Sequence, residues 1–284
     1  MRFDVQHRDC FDSLAAMRDA GGVDLILTSP PYPDARTVEA YGGAAFDTTV
    51  AGYGRLGDAV FAALKPGGVC ALNIDGPVRV WRPELGESER SLIAFEVAID
   101  WAKRVGFRYV DHCVRLSEGR PGLFGPRWRG GFEPVHVLAR PGGGVHFDPD
   151  AMTVPSRTAG MVREPSARQP SGKVGKRDSY IQAERKHLSS AILAQVGPGR
   201  ADLEHAAPFS HDFADAFVLC YSPPGGLVGD PFVGSGTVAF SCHRHGRRFI
   251  GGDLGHRKRD GRRWADIVND GLRQGTLFDE RPLG

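Results

Sequence analysis

The sequence predicts an α/β fold built on a mostly parallel sheet, and three observations carry that prediction. Short apolar runs alternate with stretches of helical periodicity over the first 140 residues and again after residue 203. Glycine and proline are abundant, at 38 and 20 of 284 residues, which calls for many tight turns rather than long helical bundles. Hydrophobic residues make up 41% and charged residues 25%, enough apolar material for a sizeable core. That composition excludes disorder of the whole chain. No apolar run approaches the ~18 residues that span a bilayer, so no membrane partner is expected. The start, Met1-Arg2-Phe3-Asp4-Val5, lacks the apolar core of a secretory signal. Five cysteines, at 10, 70, 113, 220 and 242, are scattered without a C-x-x-C pair. They read as reduced cytoplasmic thiols, not as a disulfide framework or a zinc site.

The elements follow in order. Residues 23–27 read as a buried strand that ends in Thr28-Ser29-Pro30-Pro31-Tyr32, where two prolines forbid continuation. Residues 54–64 read as an amphipathic helix with Leu56, Val60, Phe61 and Leu64 on one face, stopped by Lys65-Pro66-Gly67-Gly68. Residues 69–74 are the next strand. Residues 91–105 form a helix that presents Leu92, Phe95, Ala98, Ile99 and Ala102 to the core. Residues 107–114 and 134–138 are strands. After residue 203, helices are expected at 212–219 and 238–245, with strands at 226–230 and 248–253.

Pro141-Gly142-Gly143-Gly144 marks a boundary, dividing the chain into 1–140, 141–203 and 204–284. From 151 to about 189 the composition shifts to Arg, Lys, Ser, Pro, Gly and Gln, too polar to supply a core. That stretch reads as a linker or as a surface module that orders on a partner. Residues 1–140 are nearly neutral, but 151–190 hold 8 basic and 3 acidic residues, and 244–263 hold 8 and 2. Two basic segments on a near-neutral body fit a polyanionic partner; solvated surface is the plainer alternative.

Two motifs carry chemistry. The first is a strand ending in Asp230-Pro231-Phe232, then Gly234-Ser235-Gly236-Thr237, a helix, and a strand ending in Asp253. Glycines allow close backbone approach to a ligand. An acid roughly 20 residues on suits a ribose hydroxyl. The loop comes late, so the remaining strands of a nucleotide-binding sheet must precede it. The second motif is the Ser29–Tyr32 loop at a strand's carboxyl end. Its serine, its outward carbonyls and its aromatic face suit a flat heterocycle carrying an exocyclic amine.

Together, in this order, the two motifs resemble the β-class DNA amino-methyltransferases. The resemblance covers most of 1–140 and 203–270. It implies a Rossmann-like, circularly permuted class I methyltransferase fold with a seven-stranded sheet. It implies S-adenosylmethionine as cofactor, with Ser29, Pro30, Pro31 and Tyr32 as catalytic residues. It assigns Asp9, Cys10, Thr28, Pro208, Phe209, Asp230, Pro231, Phe232, Gly234, Ser235, Gly236, Thr237, Asp253 and Leu254 to the cofactor. His205-Ala206-Ala207-Pro208-Phe209 is similar to the element flanking the methionine moiety, with Ala where the family has its first Pro. Segment 141–203 takes the place of a target recognition region on double-stranded DNA. Where the family carries an aromatic and a lysine near the flipped base, Leu116-Ser117-Glu118 stands here, leaving Trp128 to Glu133 to supply the aromatic. Methyl transfer to a base amine needs no metal, and the cysteines and Cys242-His243-x-His245 read as structural.

Serine at the first loop position favours cytosine N4 over adenine N6, and both stay open. A nicotinamide oxidoreductase, an RNA or protein methyltransferase and a non-catalytic DNA-binding protein remain as rivals. Family grounds also raise a homodimer, a cognate restriction endonuclease and a bacterial or phage origin.

Overall fold

The computed structural model describes residues 3–33, 46–76, 80–82, 87–116, 131–168, 170–193, 209–257 and 259–274. Among these residues the main sheet has eight strands: β1 Phe3–Gln6, β2 Val23–Thr28, β3 Leu64–Asn73, β4 Arg108–Leu116, β5 Phe132–Ala139, β6 Ala191–Leu193, β7 Leu227–Asp230 and β8 Arg248–Gly252. Their order is β1-β8-β7-β2-β3-β5-β4-β6. Only β5 runs antiparallel to its neighbours. The late strand β7 pairs in parallel with the early strand β2, Val228 against Leu25 and Gly229 against Ile26. The two ends of the chain therefore close one sheet, as the late glycine loop requires. The eighth strand, β6, comes from segment 141–203 and pairs with Val114–Leu116 at the sheet edge.

Alternate strand residues face opposite layers. Leu25, Leu27, Val69 and Ala71 join one apolar cluster, and Ile26, Cys70 and Leu72 the other. The first cluster is covered by α4 (His211–Tyr221), α5 (Thr237–Arg244) and α6 (Trp264–Gln274); the second by α1 (Cys10–Asp19), α2 (Val50–Ala63) and α3 (Ile93–Asp100). Near-continuous apolar strands are what a parallel sheet covered on both faces demands.

Helix α3 overturns one expectation. Leu92, Phe95 and Ile99 lie 63%, 45% and 54% exposed, while Ile93, Ala94, Val97 and Trp101 are buried. Both faces of this helix are apolar, so spacing alone cannot choose between them. The choice is made by α2: the Trp101 indole donates to the Tyr53 carbonyl at 2.9 Å and lies against Gly57, where a Cβ would sit 2.5 Å from its nitrogen. Past α3 the helix widens to a π-turn over Trp101–Val105, closed by Gly106 in the left-handed region. Strand β3 also starts earlier than expected, at Leu64, and the Lys65-Pro66-Gly67-Gly68 stretch bulges within it: Val23 pairs with Leu64 and Leu25 with Val69, with Gly67 at φ +81°.

Residues 153–187 form nested antiparallel pairs. Thr153–Pro155 pairs with Arg185–His187, Val162–Arg163 with Tyr180–Ile181, and Ser166–Arg168 with Val174–Lys176. This is one long two-stranded ribbon, and no described residue from Thr153 to Ala191 is buried.

Candidate active site

The carboxyl ends of β2 and β7 lie side by side and carry both motifs. Asp230 ends β7 and is 3% exposed; its Oδ1 accepts the Thr28 hydroxyl at 2.8 Å and the Phe232 N–H at 3.0 Å. Burial pushes its carboxyl up to about 7, with the nearby Asp253 adding to the rise. A buried acid poised near neutrality at a sheet's carboxyl edge is a functional signature.

The glycine loop follows. Gly236 has φ +85° and caps α5; a Cβ there would strike Val268 at 2.6 Å and Phe240 at 2.8 Å. Gly236, the residue before α5, has no side chain to cap it. Asp253, 4% exposed after β8, accepts the Gly234 N–H at 2.7 Å and the Gly255 N–H at 2.6 Å. Its carboxylate thus fixes the glycine loop, with a second lone pair left on each oxygen. Phe232 and Leu254 are only partly covered, offering apolar surface beside these two acids. Carboxylates, a glycine cradle and apolar flanks fit the ribose, the ammonium and the heterocycle of an adenosyl methyl donor.

One strand over, the Ser29–Tyr32 loop is fixed from two sides. The Tyr53 phenol donates to the Pro31 carbonyl at 2.5 Å. That carbonyl therefore turns inward, correcting the expectation that the carbonyls beside both prolines face the ligand. The Ser29 hydroxyl donates to Tyr32 Oη at 3.3 Å, and Tyr32 Oη donates to Glu133 Oε2 at 3.3 Å. Arg115 Nη1 donates to the same Glu133 oxygen at 3.0 Å. Arg115 and Glu133 are 7% and 8% exposed, and Arg115 lies over the rings of Phe209 and Phe213. Burial, then the Glu133 charge, push the Tyr32 phenol well above its usual value. Nearby, buried Asp75 receives a two-pronged contact from Arg90.

The expected residues distribute unevenly. Thr28, Ser29, Pro30, Pro31, Tyr32, Asp230, Pro231, Phe232, Gly234, Ser235, Gly236, Thr237 and Asp253 gather along this one edge. Ser235 and Thr237 hydroxyls lie 3.5 Å apart, and Thr237 donates to the Phe209 carbonyl. Asp9 acts as the N-cap of α1, accepting from Asp12 N at 2.8 Å. Cys10 is buried behind it, its thiol pushed up to about 12. Pro208, His205, Ser117, Glu118, Trp128, Arg129 and Gly130 lie outside the described residues. In the Cys242-His243-x-His245 run, Cys242 is buried and His245 Nε2 lies 3.1 Å from Asp215. Sequence reading missed Arg115, Glu133, Asp75 and Arg90. Glu133 stood at the head of a strongly apolar strand, and an acid in that position was the available signal.

The chain matches the family model described as DNA methylase, covering both N6 and N4 amino-methyltransferases, over residues 23–259. It is 22% identical over 281 residues to the orphan methyltransferase M.BamHII of Bacillus amyloliquefaciens, covering 92% of this chain and 93% of that one. Its fold superimposes on PvuII DNA methyltransferase (cytosine-N4-specific) with TM-score 0.62 at 16% identity, covering 96% and 92% of the two chains. TTHA0409, a putative DNA modification methylase from Thermus thermophilus solved with S-adenosyl-L-methionine, gives 0.58 at 21% identity, with 97% and 96% covered. The M1.HpyAVI–SAM complex gives 0.57 at 15%, with 94% and 98% covered. With a family model spanning most of its length, and with both motifs of that family on one sheet edge, the chain belongs to the DNA methylase family that modifies adenine N6 or cytosine N4.

Proposed function

We propose that this DNA methyltransferase acts on the exocyclic N4 of a cytosine flipped out of double-stranded DNA. The family's cofactor is S-adenosylmethionine, which when bound supplies an activated methyl group. The chain's own task is then to place and orient the amine. The observation that carries the reading is the ordered hydroxyl chain at the carboxyl edge. A carboxylate at its inner end only accepts, so Tyr32 donates inward and Ser29 donates to Tyr32. The lone pairs of Ser29 are thereby left for the N–H of an incoming amine. The proline-braced loop around Ser29 fixes where that amine sits. On the donor side, Asp230, Asp253 and the glycine loop form the cradle, with Phe232 and Leu254 flanking it. Serine in place of the acid more usual in adenine enzymes of the family supports cytosine.

In this reading 1–140 supplies the catalytic half, 204–284 the cofactor half and 141–203 the DNA contacts, in a cytoplasmic bacterial or phage-encoded enzyme. A homodimer and a cognate restriction endonuclease are the further partners the family suggests; sedimentation tests the first.

Nucleoside mass spectrometry of DNA from cells expressing the wild-type chain should show N4-methylcytosine, absent with Ser29→Ala. N6-methyladenine in its place corrects the base while keeping the mechanism. In vitro, Ser29→Ala should lower turnover by about 100-fold, the cost of losing orientation at the reacting atom, with donor affinity unchanged. An equal loss of donor affinity would remove Ser29 from the amine.

A further inference from the structure

We propose that Tyr109, His112 and His136 form a binding site for one divalent transition-metal ion of the zinc or copper class. The site lies on the sheet face beneath α3, apart from both motifs, and takes no part in methyl transfer.

Three observations carry it. The first is convergence. Tyr109 Oη lies 2.9 Å from His136 Nδ1 and 3.1 Å from His112 Nδ1. Three atoms that can each ligate a metal thus meet at one point. The phenol has a single proton, so Tyr109 donates to one imidazole and accepts from the other. An ion of the zinc class sits ~2.0–2.1 Å from nitrogen and ~2.0–2.2 Å from oxygen, which places tetrahedral ligands roughly 3.3 Å from one another. The observed contacts are close to that spacing, so small rotations of the side chains admit an ion between them.

The second is register. His112 stands directly opposite His136 on the antiparallel pair β4 and β5, with ring centroids 5.3 Å apart. Side chains opposed in this way are the ones that interact across a sheet. Tyr109 stands opposite Leu138, and the ladder then passes over Val110 to resume with Asp111 opposite Val137. In an unbroken strand, residues 109 and 112 point to opposite faces. The irregularity at Val110 brings Tyr109 back to the face of both histidines, the re-aiming for which bulges are retained.

The third is the surrounding shell. His136 is 0% exposed, so its ring is held in place, while Tyr109 and His112 are exposed and leave the ion a path from solvent. Phe95 of α3 stacks on His112 at 6.3 Å and meets His136 edge-on at 5.9 Å. This outward-facing phenylalanine thereby becomes an apolar cover over the histidine pair, of the kind that controls water access to a metal.

Two imidazole nitrogens and one phenol oxygen suit a borderline first-row ion, whereas magnesium and calcium take oxygen sets. Binding forms two metal–nitrogen bonds and one metal–oxygen bond, with water in the fourth position. The phenol proton leaves to solvent, driven by the charge of the dication. The ion would clip β4 to β5 three residues from Arg115 and Glu133, which pair across the same two strands.

The test uses the untagged full chain, with Zn²⁺ and Cu²⁺ as probes and Mg²⁺ as control. Calorimetry should find a single Zn²⁺ site, bind Cu²⁺ more tightly at the same site and detect no Mg²⁺ there. His112→Gln and Tyr109→Phe change exposed side chains, and melting of the metal-free variants verifies their fold. Each should weaken Zn²⁺ by about 100-fold. Saturating Zn²⁺ should raise the unfolding midpoint of the wild type but not of the double variant. The Cu²⁺-loaded wild type should show a phenolate-to-copper absorption band that Tyr109→Phe lacks. Folded wild type that binds neither Zn²⁺ nor Cu²⁺ would overturn the proposal. So would equal affinity in the double variant, which would move the ion to other side chains, such as His7 with His256 or His187 with Asp150. None of these readouts depends on methylation, so the outcome stands apart from that of the proposed function.

Discussion

At the carboxyl edge of the sheet, Thr28, Asp230 and Asp253 are 0%, 3% and 4% exposed; Thr28 bonds Asp230 across 202 residues, and both Asp253 oxygens accept from loop N–H groups. Along the ribbon from Thr153 to His187 no described residue is buried, and the pairing is almost all between the ribbon's own two strands. The difference follows from what each region must do. Orienting one lone pair toward one atom needs groups held within tenths of an ångström, which only dense packing and a closed hydrogen-bond network provide. A two-stranded ribbon closes on its own backbone pairs and needs little core. Changes at the edge should therefore move stability and chemistry together, whereas changes on the ribbon should alter folding by no more than ~0.5 kcal/mol.

The largest expected departure is at Asp230. Its carboxyl holds a proton up to about pH 7 in the folded protein, against a usual value of 3.8 in the unfolded chain. Between those values the native state binds more protons, so this group makes stability fall as pH rises from about 4 to about 7, and nothing further is lost above that. Asp230→Asn removes the dependence. The difference in unfolding free energy between variant and wild type should grow across that window to a ceiling on the order of 4 kcal/mol, at ~1.4 kcal/mol for each tenfold change in proton affinity. Chemical denaturation of the ligand-free protein at pH 4.5, 6 and 7.5 measures it. A difference that does not change with pH would mean that Asp230 is ionised in the fold, and the contrast with the ribbon would lose its main energetic support.

Asp253→Ala comes next. It leaves the buried N–H groups of Gly234 and Gly255 without their acceptor, at about 1–3 kcal/mol each. Donor affinity measured by calorimetry should fall about 100-fold, while Lys176→Ala/Arg177→Ala on the ribbon leaves it unchanged. Equal donor affinity in Asp253→Ala and wild type would show the glycine loop to be self-supporting.

How much of this could be read from the sequence divides along the same line. The two motifs were legible because proline and glycine act through local backbone geometry, which depends on neighbours in the chain. Their meeting on adjacent strands followed from the lateness of the glycine loop, a matter of counting residues. The buried side of α3 was not legible: Leu92, Phe95 and Ile99 repeat as regularly as Ile93, Val97 and Trp101, and only the slot at Gly57 decides between them. The inward turn of the Pro31 carbonyl depends on Tyr53, 22 residues away. The ribbon was legible as a basic, core-poor segment but not as a ribbon, since its pairs are short and their polar side chains show no period of two. Arg115 and Glu133 meet only because β4 and β5 are neighbours, which no local pattern announces.

That pair supplies the smallest and most discriminating test. Glu133→Gln keeps size and burial but replaces an end that only accepts with one that also donates. The Tyr32 phenol is then free to accept from the amide, the direction of the hydroxyl chain is no longer imposed, and Ser29 can present its proton where its lone pair is needed. Turnover should fall about tenfold, equivalent to ~1.4 kcal/mol in the barrier, with donor affinity unchanged. A structural role would also slow the enzyme, because Arg115 would lose a buried partner. The two are told apart by a cycle with Tyr32→Phe, which removes the link between Glu133 and Ser29 while leaving Arg115 and its carboxylate in place. If Glu133 acts through the chain, Glu133→Gln in the Tyr32→Phe background should cost almost nothing more. A full tenfold loss in both backgrounds would make Glu133 a packing partner of Arg115, and the orientation of Ser29 would have to come from the proline-braced loop alone.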